Sequence, residues 1–86
     1  MYEYRWLDAV LDKLAELYVT ADLSERDRMA AGVAAFNARL AADPLDIGES
    51  RRGGYRVGFP PLLRVYFHVD QANRRVRVTD VIRYGH

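Results

Sequence analysis

Arginine side chains and aromatic rings are concentrated in the second half of this sequence, and their chemistry suits phosphate groups and nucleobases. Residues 51–86 carry eight arginines and two aspartates, a formal charge of +6, whereas residues 1–50 carry five basic and ten acidic residues, a formal charge of −5. A planar guanidinium forms bidentate contacts with phosphate and stacks on rings. The pattern predicts a nucleic-acid surface. The alternative is a solvated sheet face with ion pairs to the acidic half.

Length and composition predict one domain over residues 1–86. Half of the residues are hydrophobic, which is enough for a single core, and no cysteine is present. The lack of cysteine excludes zinc ribbons, thiol catalysis and disulfide scaffolds, and it fits a reducing cytoplasm. No apolar run reaches the roughly 20 residues of a membrane span. We therefore expect a cytoplasmic protein with no membrane partner. We also expect no metal or cofactor, because two histidines without a carboxylate cluster do not form a ligand set.

The first half predicts a short strand and two amphipathic helices. Aromatic residues alternate over Tyr2–Trp6, as in a strand. A helix from Asp8 has one apolar face, and a second helix runs from about Glu25 to Ala42 with Ser24 as its N-cap and Pro44 ending it. Trp6 and the stripe of the second helix are assigned to the core; the stripe comprises Met29, Val33, Phe36 and Leu40. The two helices predict a hairpin that covers a sheet.

The second half predicts a loop over residues 45–54 and then an antiparallel meander of three strands. Strict alternation assigns one set of side chains to the core, namely Tyr55, Val57, Phe59, Leu63, Val65, Phe67, Val76, Val78 and Ile82. The other set faces away from the helices and comprises Arg56, Arg64, Tyr66, His68, Arg77 and Arg83. Asp80 breaks the pattern, which predicts a bulge there or a partner such as Arg5. The expected fold is a two-layer α+β domain, with the N-terminal strand and helical hairpin packed on one face of the meander.

The order of these elements and several short motifs resemble the RelE/ParE family of type II toxins, over nearly the whole chain. The motifs are Asp43-Pro44-Leu45 leading to Gly48, Tyr55-Arg56-Val57, Leu63-Arg64-Val65-Tyr66, and the last strand from Val76 to Tyr84. The resemblance implies a toxin with an adjacently encoded antitoxin as its partner. RelE-like and YoeB-like members cleave mRNA in the ribosomal A site, whereas ParE-like members inhibit DNA gyrase. An inactive member that only binds antitoxin is a third reading.

The resemblance implies a metal-independent endoribonuclease whose phosphate-binding arginine is Arg64. A YoeB-like ending reads Arg-Tyr-His-Tyr, which is similar to Arg83-Tyr84-Gly85-His86 apart from the glycine before the histidine. Cleavage by the 2′-hydroxyl needs a base, positive charge on the phosphate and an acid. We therefore expect Arg64, Arg83, Tyr84 and His86 to be catalytic, with Arg64 and Arg83 on one sheet face. The expected nucleic-acid-binding residues are Arg51, Arg52, Arg56, Arg77, Tyr66 and His68. The alternative for Arg64 is a salt bridge with Glu49 or Asp70.

Overall fold

The computed structural model describes residues 1–85, in which two helices pack on one face of a five-stranded sheet. The helices are α1 (Asp8–Thr20) and α2 (Leu23–Ala42). The strands are β1 (Glu3–Trp6), β2 (Glu49–Ser50), β3 (Tyr55–Gly58), β4 (Leu63–Asp70) and β5 (Arg75–Arg83). The strand order is β1-β5-β4-β3-β2. The predicted two-layer α+β fold is confirmed, and the sheet is mixed because β1 runs parallel to β5. The described residues contain no helix long and apolar enough to cross a membrane.

The start of α2 differs from the prediction because Asp22, and not Ser24, is the N-cap. The Asp22 carboxylate accepts a hydrogen bond from the Glu25 backbone N–H at 2.8 Å, and the Glu25 carboxylate accepts one from the Asp22 backbone N–H at 3.3 Å. This reciprocal capping satisfies two backbone donors that the helix itself leaves unpaired. The helix ends at Ala42, before Pro44, as predicted.

The apolar stripe of α2 forms the centre of the core together with the inward residues of β4 and β5. Met29 and Leu40 are fully buried, and the ring of Phe36 meets that of Phe67 edge to face at 5.8 Å. Trp6 is buried too, and its indole N–H donates to Asn37 Oδ1 at 2.8 Å. The assignment of Trp6 and Phe36 to the core is confirmed. We call the sheet face away from the helices the open face.

A bulge at Thr79 sets which side chains of β5 reach the open face. Val78 pairs with Phe67 and Asp80 with Tyr66, so Thr79 is the extra residue. After the bulge Val81 is fully buried against the helices, whereas Ile82 is paired with Arg64 on the open face. The prediction of Ile82 as a core residue is therefore wrong.

Asp80 is accommodated by the bulge and by a partner, as the sequence allowed, but that partner is Lys13 of α1 and not Arg5. The Lys13 ammonium donates to the Asp80 carboxylate, which also accepts a hydrogen bond from the Val81 backbone N–H at 2.8 Å. The contact with Lys13 is the main cause of the lowered pKa of Asp80. The carboxylate therefore stays ionised beside the helix layer.

Strand β3 has the opposite orientation to the predicted one. Arg56 pairs with Phe67 and Gly58 with Val65, which places both on the helix side. Gly58 belongs there because a Cβ at that position would lie 2.6 Å from the Phe36 ring and 2.9 Å from Ile47. Tyr55 and Val57, which alternate with them along β3, therefore face away from the helices. The prediction that Tyr55 and Phe59 join the core is wrong, because both are more than two-fifths exposed. Val57 is a buried core residue, as predicted, but it lies outside the helix-side cluster.

Candidate nucleic-acid interface

Arg64 projects from the open face near one end of β4, which is the middle strand and whose side chains alternate strictly between the two faces. Leu63, Val65 and Phe67 are fully buried on the helix side. The residues between and after them are half-buried on the open face, and they are Arg64, Tyr66, His68 and Asp70. Three of these four, Arg64, Tyr66 and His68, were predicted to face away from the helices, and that placement is confirmed.

Three aromatic side chains surround the Arg64 guanidinium. Its central carbon lies 4.3 Å from the centroid of the Tyr84 ring and 5.7 Å from that of Phe59, and these two rings are 5.3 Å apart. Nη1 also donates to the Tyr66 hydroxyl at 3.3 Å. Cation–π attraction and this hydrogen bond fix the plane of the guanidinium. We call the group Arg64, Phe59, Tyr66 and Tyr84 the arginine cradle.

Arg64 has no carboxylate partner within residues 1–85. Glu49 forms its salt bridge with Arg51 at 3.3 Å, and Asp70 accepts hydrogen bonds from the backbone and side chain of Asn73. The salt bridge that the sequence offered as an alternative for Arg64 is therefore absent from this part of the chain. The hydroxyls of Tyr66 and then Tyr84 raise the pKa of Arg64 further above its ordinary value, so its positive charge is permanent.

The Nε–H of Arg64 is buried and finds no hydrogen-bond acceptor among the described residues. A buried donor without a partner lowers the stability of a fold, so this arginine is not placed for the benefit of the core. Its charge is instead held among rings, with no carboxylate partner within residues 1–85. A guanidinium in this state is suited to bind a phosphate from outside the protein.

Arg83 does not join Arg64, and the prediction that the two share one face is wrong. The Thr79 bulge turns Arg83 to the helix side, where Nη2 lies 2.6 Å from Glu25 Oε2 of α2. This hydrogen bond is the main cause of the lowered pKa of Glu25. The same bulge brings Tyr84 to the open face beside Arg64. His86, predicted as catalytic, lies outside the described residues.

Three of the arginines that were predicted to bind nucleic acid lie at the β2–β3 end of the molecule. Arg56 is on the helix side, where its guanidinium donates to the carbonyl oxygens of Ile47 at 2.9 Å and Gly48 at 3.4 Å, so its predicted placement is wrong. Arg51 is occupied by Glu49. Arg52 is exposed in a short helical turn, Arg52–Gly54. Arg56 therefore holds the loop before β2.

The remaining predicted residues, Arg77 and His68, lie on the open face and are paired across β5 and β4. The Tyr55 ring contacts the His68 ring at a centroid distance of 4.8 Å. Two residues on the open face were not predicted to lie there. Phe59 was assigned to the core, and Arg5 of β1 was considered only as a partner for Asp80. In the structure Arg5 pairs with Arg77.

The fold belongs to the class in which a helical hairpin covers one face of a small mixed sheet and the opposite face stays open. A chain in the crystal structure of the toxin-antitoxin complex RelBE2 from Mycobacterium tuberculosis is similar to it. The TM-score is 0.73, with 22% sequence identity over 96% of this chain and 98% of that chain. No protein-family model matches the sequence, and no curated protein is significantly similar to it. The likeness in fold agrees with the RelE/ParE resemblance of the sequence motifs.

Proposed function

We propose that this protein is the toxin of a toxin–antitoxin pair and acts as a ribosome-dependent endoribonuclease, with the arginine cradle binding the scissile phosphate of mRNA. The observation that carries the proposal is that Arg64 is charged, lies against the Phe59 and Tyr84 rings and has no carboxylate partner within residues 1–85. Aromatic rings next to a guanidinium match the two parts of a nucleotide, since rings stack on bases and arginine binds phosphate. The similarity to a chain of a toxin-antitoxin complex supports the toxin role.

In the proposed reaction the ribose 2′-oxygen attacks the adjacent phosphorus and the 5′-oxygen leaves, which yields a 2′,3′-cyclic phosphate and a free 5′-hydroxyl. Arg64 stabilises the extra negative charge on the pentacoordinate phosphorus. The 2′-hydroxyl proton goes to a base, and the leaving oxygen receives a proton from an acid. Arginine itself performs neither transfer near neutral pH.

Glu49 and Tyr84 are the proposed proton carriers among the described residues. Glu49 pairs with Val57, which pairs in turn with Tyr66, so Glu49 belongs to the open face two strands from the cradle. Two strand spacings amount to about 10 Å between backbones, which a glutamate and a substrate together can bridge. The Tyr84 hydroxyl is proposed to donate to the leaving 5′-oxygen.

Primer extension on an mRNA under translation tests this proposal. Wild-type protein is expected to produce cuts at A-site codons, and Arg64→Ala is expected to abolish them. Glu49→Gln is expected to lose cleavage while still binding RNA, because it retains the shape but not the basicity of the carboxylate. Absence of A-site cuts with wild-type protein, or equal cutting by Arg64→Ala, would sink the proposal.

A second candidate is a ParE-like inhibitor of DNA gyrase that performs no catalysis. It is favoured by the distance between the cradle and His68, the histidine among residues 1–85. His68 is four residues along β4 from Arg64, which is about 13 Å at 3.3 Å per residue. In addition, Arg51 occupies the carboxylate of Glu49. Inhibition of gyrase supercoiling by purified protein, without A-site cuts, would support this candidate over the nuclease.

Both candidates call for an antitoxin. Strand β1 covers β5 only as far as Val78, so the edge of β5 from Thr79 to Arg83 has no partner strand among residues 1–85. A groove of about 450 Å³ also runs between α2 and Pro60–Pro61. An unpaired edge and a groove are the two kinds of surface that a peptide segment covers. The reading frame next to this gene is expected to encode a protein that co-purifies with this one and abolishes its toxicity.

A further inference from the structure

A second basic group lies on the open face, at the end of the sheet away from the arginine cradle. Arg5, Arg77 and His68 are in register across β1, β5 and β4. Paired residues of neighbouring strands project from the same face, so these three side chains form a line across the sheet. We call this line the basic row. Each step along it is one strand spacing, about 4.8 Å, so the row spans about 10 Å.

The basic row borders a cleft of about 420 Å³ on the open face. The next line of residues toward the strand ends is also in register and consists of Glu3, Arg75 and Asp70. In that outer line the arginine stands between two carboxylates, which offset its charge. Arg5, Arg75 and Arg77 form no salt bridge within residues 1–85, so the two lines differ in formal charge and not in ion pairing. The outer line carries one arginine and two carboxylates, whereas the basic row carries two arginines and no carboxylate. The uncompensated positive charge of the cleft is therefore on the basic row.

We propose that the basic row binds a backbone phosphate of the same RNA strand whose scissile phosphate lies in the arginine cradle. This inference rests on the proposed function. Arg5 and Arg77 are register partners, and their two planar guanidinium groups supply several N–H donors on one face, which suits a phosphodiester oxygen. His68 adds a ring nitrogen, and its ring is held in place by Tyr55. Arg5 is thereby assigned a ligand-binding role.

The spacing of the two sites sets the length of RNA that occupies both. Arg64 and His68 lie on the same face of β4, four residues apart, which corresponds to about 13 Å. A stacked strand rises about 3.4 Å per nucleotide, so the two phosphates are separated by roughly four stacked nucleotides, or fewer where bases are splayed apart. A dinucleotide occupies the cradle alone, and an octanucleotide reaches the basic row.

Fluorescence anisotropy with single-stranded RNA tests the assignment, using 2′-O-methyl riboses so that no cleavage occurs. For an octanucleotide, Arg77→Gln and Arg5→Gln are each expected to weaken binding by about tenfold, the effect of one charge-assisted hydrogen bond, and to lower the salt slope by about one. For a dinucleotide, neither variant is expected to change the affinity. Arg75→Gln is the matched control, since it removes the same charge from the same strand and face but from the compensated outer line.

Equal weakening by Arg75→Gln and Arg77→Gln would overturn the assignment, because it would indicate only a general effect of charge. Displacement of the octanucleotide by inorganic phosphate at constant ionic strength would also overturn it, in favour of a free-anion site. So would an octanucleotide that does not bind. Cleavage of translated mRNA is a separate readout. If Arg77→Gln loses affinity for the octanucleotide but not for the dinucleotide, and wild-type protein makes no A-site cuts, the result supports the basic row and refutes the nuclease. If wild-type protein makes A-site cuts but Arg77→Gln binds the octanucleotide as the wild type does, the result supports the nuclease and refutes the basic row.

Discussion

Replacement of Arg64 is the most direct test of the arginine cradle. On the open face of β4 the next basic side chain is His68, about 13 Å away, so no other basic side chain of this strand takes over when Arg64 is removed. Removing one preorganised donor to a developing oxyanion costs about 100- to 1000-fold in rate. We expect a loss of that size in A-site cleavage for Arg64→Ala.

Arg64→Lys separates charge from geometry at the same position. Lysine keeps a positive charge but has no planar group to lie against the Tyr84 ring, which is 4.3 Å from the guanidinium carbon. We expect Arg64→Lys to retain more activity than Arg64→Ala and still to fall about tenfold below the wild type, the cost of about one charge-assisted hydrogen bond. Full activity in Arg64→Lys would mean that the ring contacts have no role in catalysis.

The fold of these variants is checked by thermal unfolding, and Arg64→Met is the informative one. Methionine fills the space of the aliphatic stem and removes the buried Nε–H that has no acceptor within residues 1–85. We expect Arg64→Met to unfold at or above the wild-type temperature while it loses cleavage. Arg75→Gln is expected to cut mRNA like the wild type. A folded Arg64→Ala protein that cuts within threefold of the wild-type rate would refute the reasoning.

Two further predictions concern the scaffold. The lowered pKa of Glu25 means that its bond to Arg83 stabilises the fold above the ordinary value of 4.5 and ceases to do so as the pH falls through the lowered pKa. Glu25→Gln should therefore lower the melting temperature near pH 7, and the difference from the wild type should shrink as the pH falls below 4.5; a constant difference would contradict this. Gly58→Ala places a methyl group 2.6 Å from Phe36 and should lower the free energy of unfolding by about 1–3 kcal/mol in denaturant titrations. An unchanged free energy of unfolding would contradict this packing.

The sequence was sufficient to predict the layers of this fold because their signals are long and redundant. The stripe of α2 runs from Met29 to Leu40 within a 20-residue helix, and the alternation of β4 extends over eight residues, so one ambiguous position does not change the assignment. Arg64 was placed correctly for that reason. Strand β3 has only four residues, and its apolar side chains alone indicate the wrong face. The packing of Gly58 against Phe36 decides its orientation, and that contact joins residues far apart in the chain.

The content of the candidate site depends on one inserted residue in β5. Two polar residues, Thr79 and Asp80, are followed by two apolar ones, Val81 and Ile82, and this break in alternation is the sequence signal of the bulge. Strict alternation of side chains along β5 would place Arg83 on the same face as Arg64 and would place Tyr84 under the helices. The bulge exchanges them, so the second arginine becomes an ion pair of the scaffold and the tyrosine becomes the ring against which Arg64 lies. The site therefore has one guanidinium among three rings, which is the arrangement we propose for holding a single phosphate beside a stacked base.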